Sequence, residues 1–227
     1  MELLNSISAE NAEFDFSALD AVEFDDGPHE YFVGGQELPS VTTIMEPINQ
    51  EKYAGIPRGV LDNAASKGTA VHNSIENYLK FGIDDIEPEH RGYFEAFLAF
   101  EEKYKPDVIR SEIRMYHKLF MYAGTGDLLC RINGKLVLID YKTTADIHEM
   151  PCRVQLEAYW QALASHGIKP DEKWILHLKK DGTYSIAKFP LKDARAWKIF
   201  GDLMDLRDYL TSYKITPIQW MSVVKSA

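Results

Sequence analysis

The chain has 227 residues, 45% of them hydrophobic and 26% charged, enough to bury a full core without disulfides or a structural metal. No run approaches the roughly 18 apolar residues of a membrane span. Two cysteines, Cys130 and Cys152, cannot supply a four-thiolate zinc site or iron–sulfur cluster, so no iron–sulfur cluster is expected and a reducing, cytoplasmic setting fits. The net charge of −10 is unevenly placed: residues 1–50 hold 11 of the 35 acids and no Lys or Arg, which leaves 24 acids and 25 bases, a balance of +1, over residues 51–227. A near-neutral body can still carry a basic groove beside an acidic site. The acidic start lacks the basic leader of a signal or transit peptide and reads as a solvated surface.

Short strands are expected at 22–24 and 31–33, around Asp25-Asp26-Gly27-Pro28, with another turn at Gly34-Gly35. Residues 1–38 thus form an acidic segment with a short hairpin, ahead of the main domain over 39–227. Pro39-Ser40 opens a stretch of helical potential at 41–45. Residues 58–79 read as a helix with a break near Lys67-Gly68, and 89–104 as a second helix with Tyr93, Phe94, Phe97, Leu98 and Phe100 mostly on one stripe. Residues 108–116 alternate weakly, and 119–144 hold two strands around Asn133-Gly134. A helix over 151–166 with Pro151 at its first position, a hairpin of 174–178 and 184–189 around Asp181-Gly182, and a last helix over 194–210 follow. Helices, three strands, a helix, two strands and a helix make an α/β fold with a mixed central β-sheet flanked by α-helices.

The most informative segment runs from Gly124-Thr125-Gly126-Asp127 to Asp140-Tyr141-Lys142-Thr143. Asn-Gly between two apolar runs favours a two-residue type I′ turn. With Asn133 and Gly134 as that turn, paired numbers sum to 267, so Leu129 meets Leu138 and Asp127 meets Asp140 on one face, their Cβ atoms about 4.5–5.5 Å apart. Lys142, two residues past Asp140, points to the same face. Opposed carboxylates repel unless something binds between them, and Mg²⁺ with its preference for hard oxygen ligands is the natural remedy. A lysine beside them can orient or deprotonate a water, or offset developing negative charge. Leu136-Val137-Leu138-Ile139 reads as a strand buried on both faces, which puts Asp140-Tyr141-Lys142 at the rim of the sheet.

His72 and Glu76 share one helix face, as do Gln155 and Tyr159. An imidazole beside carboxylates moves the preference towards Mn²⁺. Spacing alone does not separate either pair from an ordinary helix surface. Glu112, on the strand before the hairpin, is a further acid for the same face, and Cys130 is expected to face away from Asp127 as a small core residue.

Together these residues resemble the PD-(D/E)XK nuclease superfamily, within its RecB-like branch. Gly68-Thr69-Ala70-Val71-His72 resembles the branch's G-x-x-x-H helix motif, and Glu112 stands where many members carry another acid. Gly124-Thr125-Gly126-Asp127 resembles G-x-x-D, Asp140-Tyr141-Lys142-Thr143 the D-Y-K-T signature, and Gln155-Leu156-Glu157-Ala158-Tyr159 the Q-x-x-x-Y helix. Pro39-Ser40-Val41-Thr42-Thr43-Ile44 is similar to a segment near the start of phage exonucleases and of the mitochondrial genome maintenance exonuclease. The resemblance spans residues 39–166 and implies a restriction-endonuclease-like core. It implies Mg²⁺ or Mn²⁺ held by His72, Asp127, Asp140 and the Tyr141 carbonyl, with Lys142 at the attacking water and Glu112 as an accessory acid. Thr143, Arg153, Gln155 and Tyr159 would hold DNA, with Arg58, Lys67, Arg114, Lys179 and Lys180 as further candidates along its path. The implied activity is a metal-dependent DNA exonuclease of phage recombination, repair or DNA processing. A structure-specific endonuclease, or a DNA-binding subunit active only in a complex, are the alternatives on the same fold. A single-strand annealing or binding protein is the partner such a nuclease implies.

Overall fold

Turn chemistry and apolar runs place the strands of this computed structural model, which describes residues 14–52 and 55–213. Helix α1 (Ser17–Asp20) leads into a small antiparallel sheet of β1 (Glu23–Asp25), β2 (Glu30–Val33) and β3 (Gln36–Leu38). Helices α2 (Val41–Ile44), α3 (Glu46–Lys52), α4 (Arg58–Phe81) and α5 (Arg91–Tyr104) follow, the last preceded by a 3-10 turn at Pro88–His90. Then come β4 (Asp107–Tyr116), β5 (Ala123–Ile132), β6 (Lys135–Lys142), α6 (Glu149–Ser165), β7 (Glu172–Leu178), β8 (Tyr184–Phe189) and α7 (Ala194–Ser212).

Strands β4 to β8 form one five-stranded sheet in chain order. All neighbours are antiparallel except β6 and β7, which run parallel because α6 carries the chain back between them. The fold is therefore α/β, a mixed sheet flanked by helices. On one face Leu129, Leu138 and Ile175 meet Leu156, Ala158 and Phe200 of α6 and α7. On the other, Leu128, Cys130, Val137 and Ile139 meet Val71 and Ile75 of α4 and Phe94, Phe97 and Phe100 of α5. Cys130 thus faces away from the rim occupied by Asp127. Among the described residues, no helix is long and apolar enough to cross a membrane.

Several expectations need correction. Helix α4 runs through Lys67-Gly68 without a break; a single glycine costs about 1 kcal/mol in a helix, and the tertiary packing of Val71 and Ile75 carries the helix across it. Pro151 sits in the third residue of α6, which starts at Glu149, still within the first turn where no intrahelical N–H bond is lost. Strand β3 and helices α1 and α3 were not expected. Gln36-Glu37-Leu38 buries only Leu38, too little pattern to declare a strand.

The acidic segment is not wholly a solvated surface. Its first 13 residues lie outside the described residues, but Phe16 and Leu19 belong to the main core, and Arg110 of β4 lies 4.4 Å over the Phe16 ring. The small sheet is tied to β5 by the bond from Ala123 N–H to the Pro39 carbonyl (2.9 Å) and by Tyr31 Oη against Thr125 Oγ1 (2.9 Å).

Candidate active site

The hairpin register is the one expected from the turn. Asn133 and Gly134 both have positive φ (51° and 77°), the requirement of a type I′ turn. The pairs Ile132 with Lys135, Leu129 with Leu138 and Leu128 with Ile139 follow. Leu136 to Ile139 are all buried, as a strand covered on both faces must be. One step beyond the last paired residues, Asp127 and Asp140 come to the rim of the sheet, 7% and 4% exposed.

Asp127 does not simply oppose Asp140. It accepts the Tyr141 N–H with Oδ2, and Oδ1 lies 3.2 Å from His72 Nδ1. Asp140 instead carries Lys142, with Nζ 2.6 Å from Oδ2. The repulsion expected between the two carboxylates is thus countered by protein cations, one for each acid. Burial works to raise the Asp127 carboxyl, but the charge and hydrogen bond of His72, then Lys142 and the Tyr141 N–H, hold it below its ordinary value. At Asp140 burial wins: its carboxyl is raised despite Lys142, with Asp127 adding to the rise.

Glu112 joins this group from β4. Residue 112 has φ 47°, a conformation that costs a non-glycine residue about 1–3 kcal/mol and that collects at functional sites. Donor atoms of His72, Glu112 and Asp127 all lie within 4.8 Å of one another. Asp140 is outside that group. Burial, then the Asp127 charge, pushes Glu112 up to about 8. His72 rises to about 9, because Asp127, Glu112 and Asp140 outweigh a burial that favours its neutral form. Two hard carboxylates and an imidazole at this spacing fit a divalent cation of the Mg²⁺ or Mn²⁺ type. Glu76 points its charge elsewhere, to Lys80 one turn on.

Helix α4 is fixed at this position by residues whose role the sequence did not declare. Lys67 Nζ donates to the Thr143 carbonyl (3.0 Å) and to Tyr93 Oη (3.2 Å), so it is a clamp between α4 and the end of β6. A Cβ at Gly68 would lie 3.6 Å from Thr143 Oγ1, so the G-x-x-x-H glycine sits where α4 crosses the rim. Thr143 itself is buried beneath that crossing. Its neighbour Tyr141 meets the His72 ring edge-on at 5.5 Å.

A second chain of contacts leaves Lys142. Its Nζ donates to Gln155 Oε1 (3.0 Å), and Gln155 Nε2 donates to Tyr159 Oη (3.0 Å). The i, i+4 spacing on α6 therefore does place both side chains in line with the lysine. Despite burial, the charges of Asp140 and Asp127 raise Lys142 further above its ordinary value. The rise favours the ammonium form of its side chain. Arg153, two residues from Gln155 and so on another face of the helix, is engaged with Asp193, the N-cap of α7, through Nε (2.8 Å) and Nη2 (2.6 Å). The structure brings Gln155 and Tyr159 to Lys142 and leaves Arg153 in this bridge between helices.

Gly124 lets the Tyr159 ring cross β5: a Cβ there would stand 2.6 Å from Tyr159 Cε1. Gly124→Ala is expected to displace the ring, lower stability by about 1–3 kcal/mol and break the Tyr159–Gln155–Lys142 chain. Thermal denaturation checks the first effect. Loss of the Tyr159 Oη contact in a crystal structure checks the second, and an unmoved ring would contradict it.

No protein-family model matches the chain, and no curated protein matches it. Among solved structures, one described as "Crystal structure of SSO0001" aligns with 78% of this chain and 79% of its own at 15% identity, with a TM-score of 0.41. A likeness at that level carries no inference about activity.

Proposed function

We propose that the chain is a Mg²⁺- or Mn²⁺-dependent deoxyribonuclease of the PD-(D/E)XK superfamily, RecB-like branch, acting as an exonuclease in a reducing cytoplasm. The carrying observation is the meeting at one sheet rim of the His72, Glu112 and Asp127 group with the Asp140–Lys142–Gln155–Tyr159 chain. Glu112 reaches this group at a positive φ and lies beside Asp127, a costly placement of the kind that collects at functional sites.

His72, Glu112 and Asp127 would hold the cation, with Asp140 and the Tyr141 carbonyl beside them. When bound, the cation polarises a phosphate oxygen and makes a neighbouring water easier to deprotonate. In hydrolysis the water gives up a proton to solvent as its oxygen bonds to phosphorus, the bond to the leaving oxygen breaks, and that oxygen takes up a proton from solvent. The Lys142 ammonium, aimed by Asp140 and Gln155, directs the water and offsets the negative charge that builds on the phosphate. Gln155 and Tyr159 keep the ammonium in place and offer hydrogen bonds to the strand.

Linear and circular DNA, each single- and double-stranded, incubated with Mg²⁺ or Mn²⁺ provide the test. Loss of linear forms alone is expected. Cut circles would establish the endonuclease instead, and no cleavage of any form would overturn the reading.

Protonation gives an independent check. His72 has a raised pKa, so its stabilising charge is complete below the ordinary 6.5 and is lost as pH rises through about 9. Glu112 is an acid with a raised pKa, so the folded chain keeps a proton that the unfolded chain releases, and stability falls from pH 4.5 to about 8. Both slopes have the same sign. In EDTA the melting temperature is expected to fall between pH 6.5 and 9, while the stabilisation added by Mn²⁺, which needs the deprotonated ligands, grows over the same window. A melting temperature in EDTA that rises with pH would contradict these assignments.

A further inference from the structure

We infer that the cleft beside Lys142 is a nucleobase subsite, which takes one unpaired base of the strand whose phosphate lies at Lys142; the inference rests on the nuclease reading above. The cleft has a volume of about 480 Å³ and is bounded by α2 and α3, the start of α4, the start of α6 and the end of β6. Lys142 and Gln155 form part of its wall, so it opens directly onto the proposed reaction centre.

The wall suits a base. Met45, Ile56, Leu61 and Pro151 present carbon, and Ile56 is 42% exposed. Asn49 offers both a donor and an acceptor to a base edge. Of the two cations on the wall, Lys142 stands at the proposed reaction centre against Asp140, and Arg58 at the start of α4.

A space of this volume falls in the range of small-ligand pockets, about 300–1,000 Å³. It admits one nucleoside and not a base pair with its two backbones. The nucleotide at the cleft therefore has to leave its partner before the neighbouring bond is cut. Single strands and frayed ends are substrates on this reading, and a duplex end is one only as fast as it opens.

The test uses the full chain with Mn²⁺ and three hairpin oligonucleotides that differ only in the terminal pair: matched, mismatched, or covalently cross-linked between strands. The mismatched end is expected to be degraded fastest and the cross-linked end at least about tenfold more slowly. Equal rates on the mismatched and cross-linked ends would overturn the subsite while leaving the nuclease intact. No degradation of any of the three, or of a single strand, would instead remove the nuclease reading and the subsite with it. Thr42→Trp, at an exposed position on the cleft wall, gives a second readout. It is expected to lower kcat/KM on a single strand about tenfold, and to have little effect when the nucleotide entering the cleft is abasic. Equal losses on the two substrates would contradict the subsite. The wild-type comparison decides the matter even if the variant fails to fold.

Discussion

Lys142→Ala is expected to lower DNA hydrolysis by about 10²–10⁴-fold, the range for removing one positioned charge or proton-handling group from a reaction centre. The ammonium is the point where two contact systems meet: Asp140 at 2.6 Å fixes its charge and Gln155 at 3.0 Å fixes its direction. A stability effect accompanies it. Asp140 is 4% exposed, and without Lys142 its carboxylate is buried with no cation beside it, so the melting temperature should fall. The double variant Lys142→Ala, Asp140→Asn separates the two effects. It should recover much of the melting temperature and none of the activity. A single variant that keeps more than a tenth of the wild-type rate would refute the role given to the lysine.

The second large effect is on stability and lies in the packing of α6 against the sheet. Glu157 and Lys173 form an ion pair in which each side chain is 1% exposed, and it joins α6 to β7. Gln161 donates to the other Glu157 oxygen, and the Asp193 N–H approaches the first at 3.4 Å. Glu157→Ala leaves a buried ammonium without a counterion and is expected to cost about 3–5 kcal/mol in chemical denaturation. Replacing both residues, Glu157→Leu with Lys173→Met, should return most of that loss, because a well-packed apolar pair is often as stable as the ion pair it replaces. A double variant no more stable than the single one would show that the packing of α6, and not the unpaired charge, causes the loss.

The Asp140–Lys142 and Glu157–Lys173 pairs differ in how far the sequence discloses them. The hairpin was legible because Asn133-Gly134 dictates its own turn, and a turn of known length sets every pair beyond it. From that register the rim position of Asp127, Asp140 and Lys142 follows by counting, and the i, i+4 spacing of Gln155 and Tyr159 sets both side chains in one hydrogen-bonded chain with Lys142. What counting cannot supply is the partner of a side chain when that partner is distant in sequence. Arg153 reads as a cation free for DNA until Asp193, 40 residues on, is seen to hold it. Lys67 reads the same way until α4 crosses Thr143. Glu157 and Lys173 give no signal, since each looks like one more surface charge until α6 is laid on the sheet. The cluster of His72, Glu112 and Asp127 shows the same limit. Glu112 enters it at a positive φ that no residue pattern announces, and Asp140, which counting sets opposite Asp127, lies outside it with Lys142 at 2.6 Å.

The most direct measurement is the release of acid-soluble nucleotides from labelled linear DNA by the full chain in Mn²⁺ and in EDTA, with Asp127→Asn alongside. Release that depends on Mn²⁺, stops in EDTA and falls at least about 10²-fold in the variant is the expected result. Undiminished release in EDTA or by the variant, or none from the wild-type chain in Mn²⁺, would contradict a metal-dependent nuclease built on this rim.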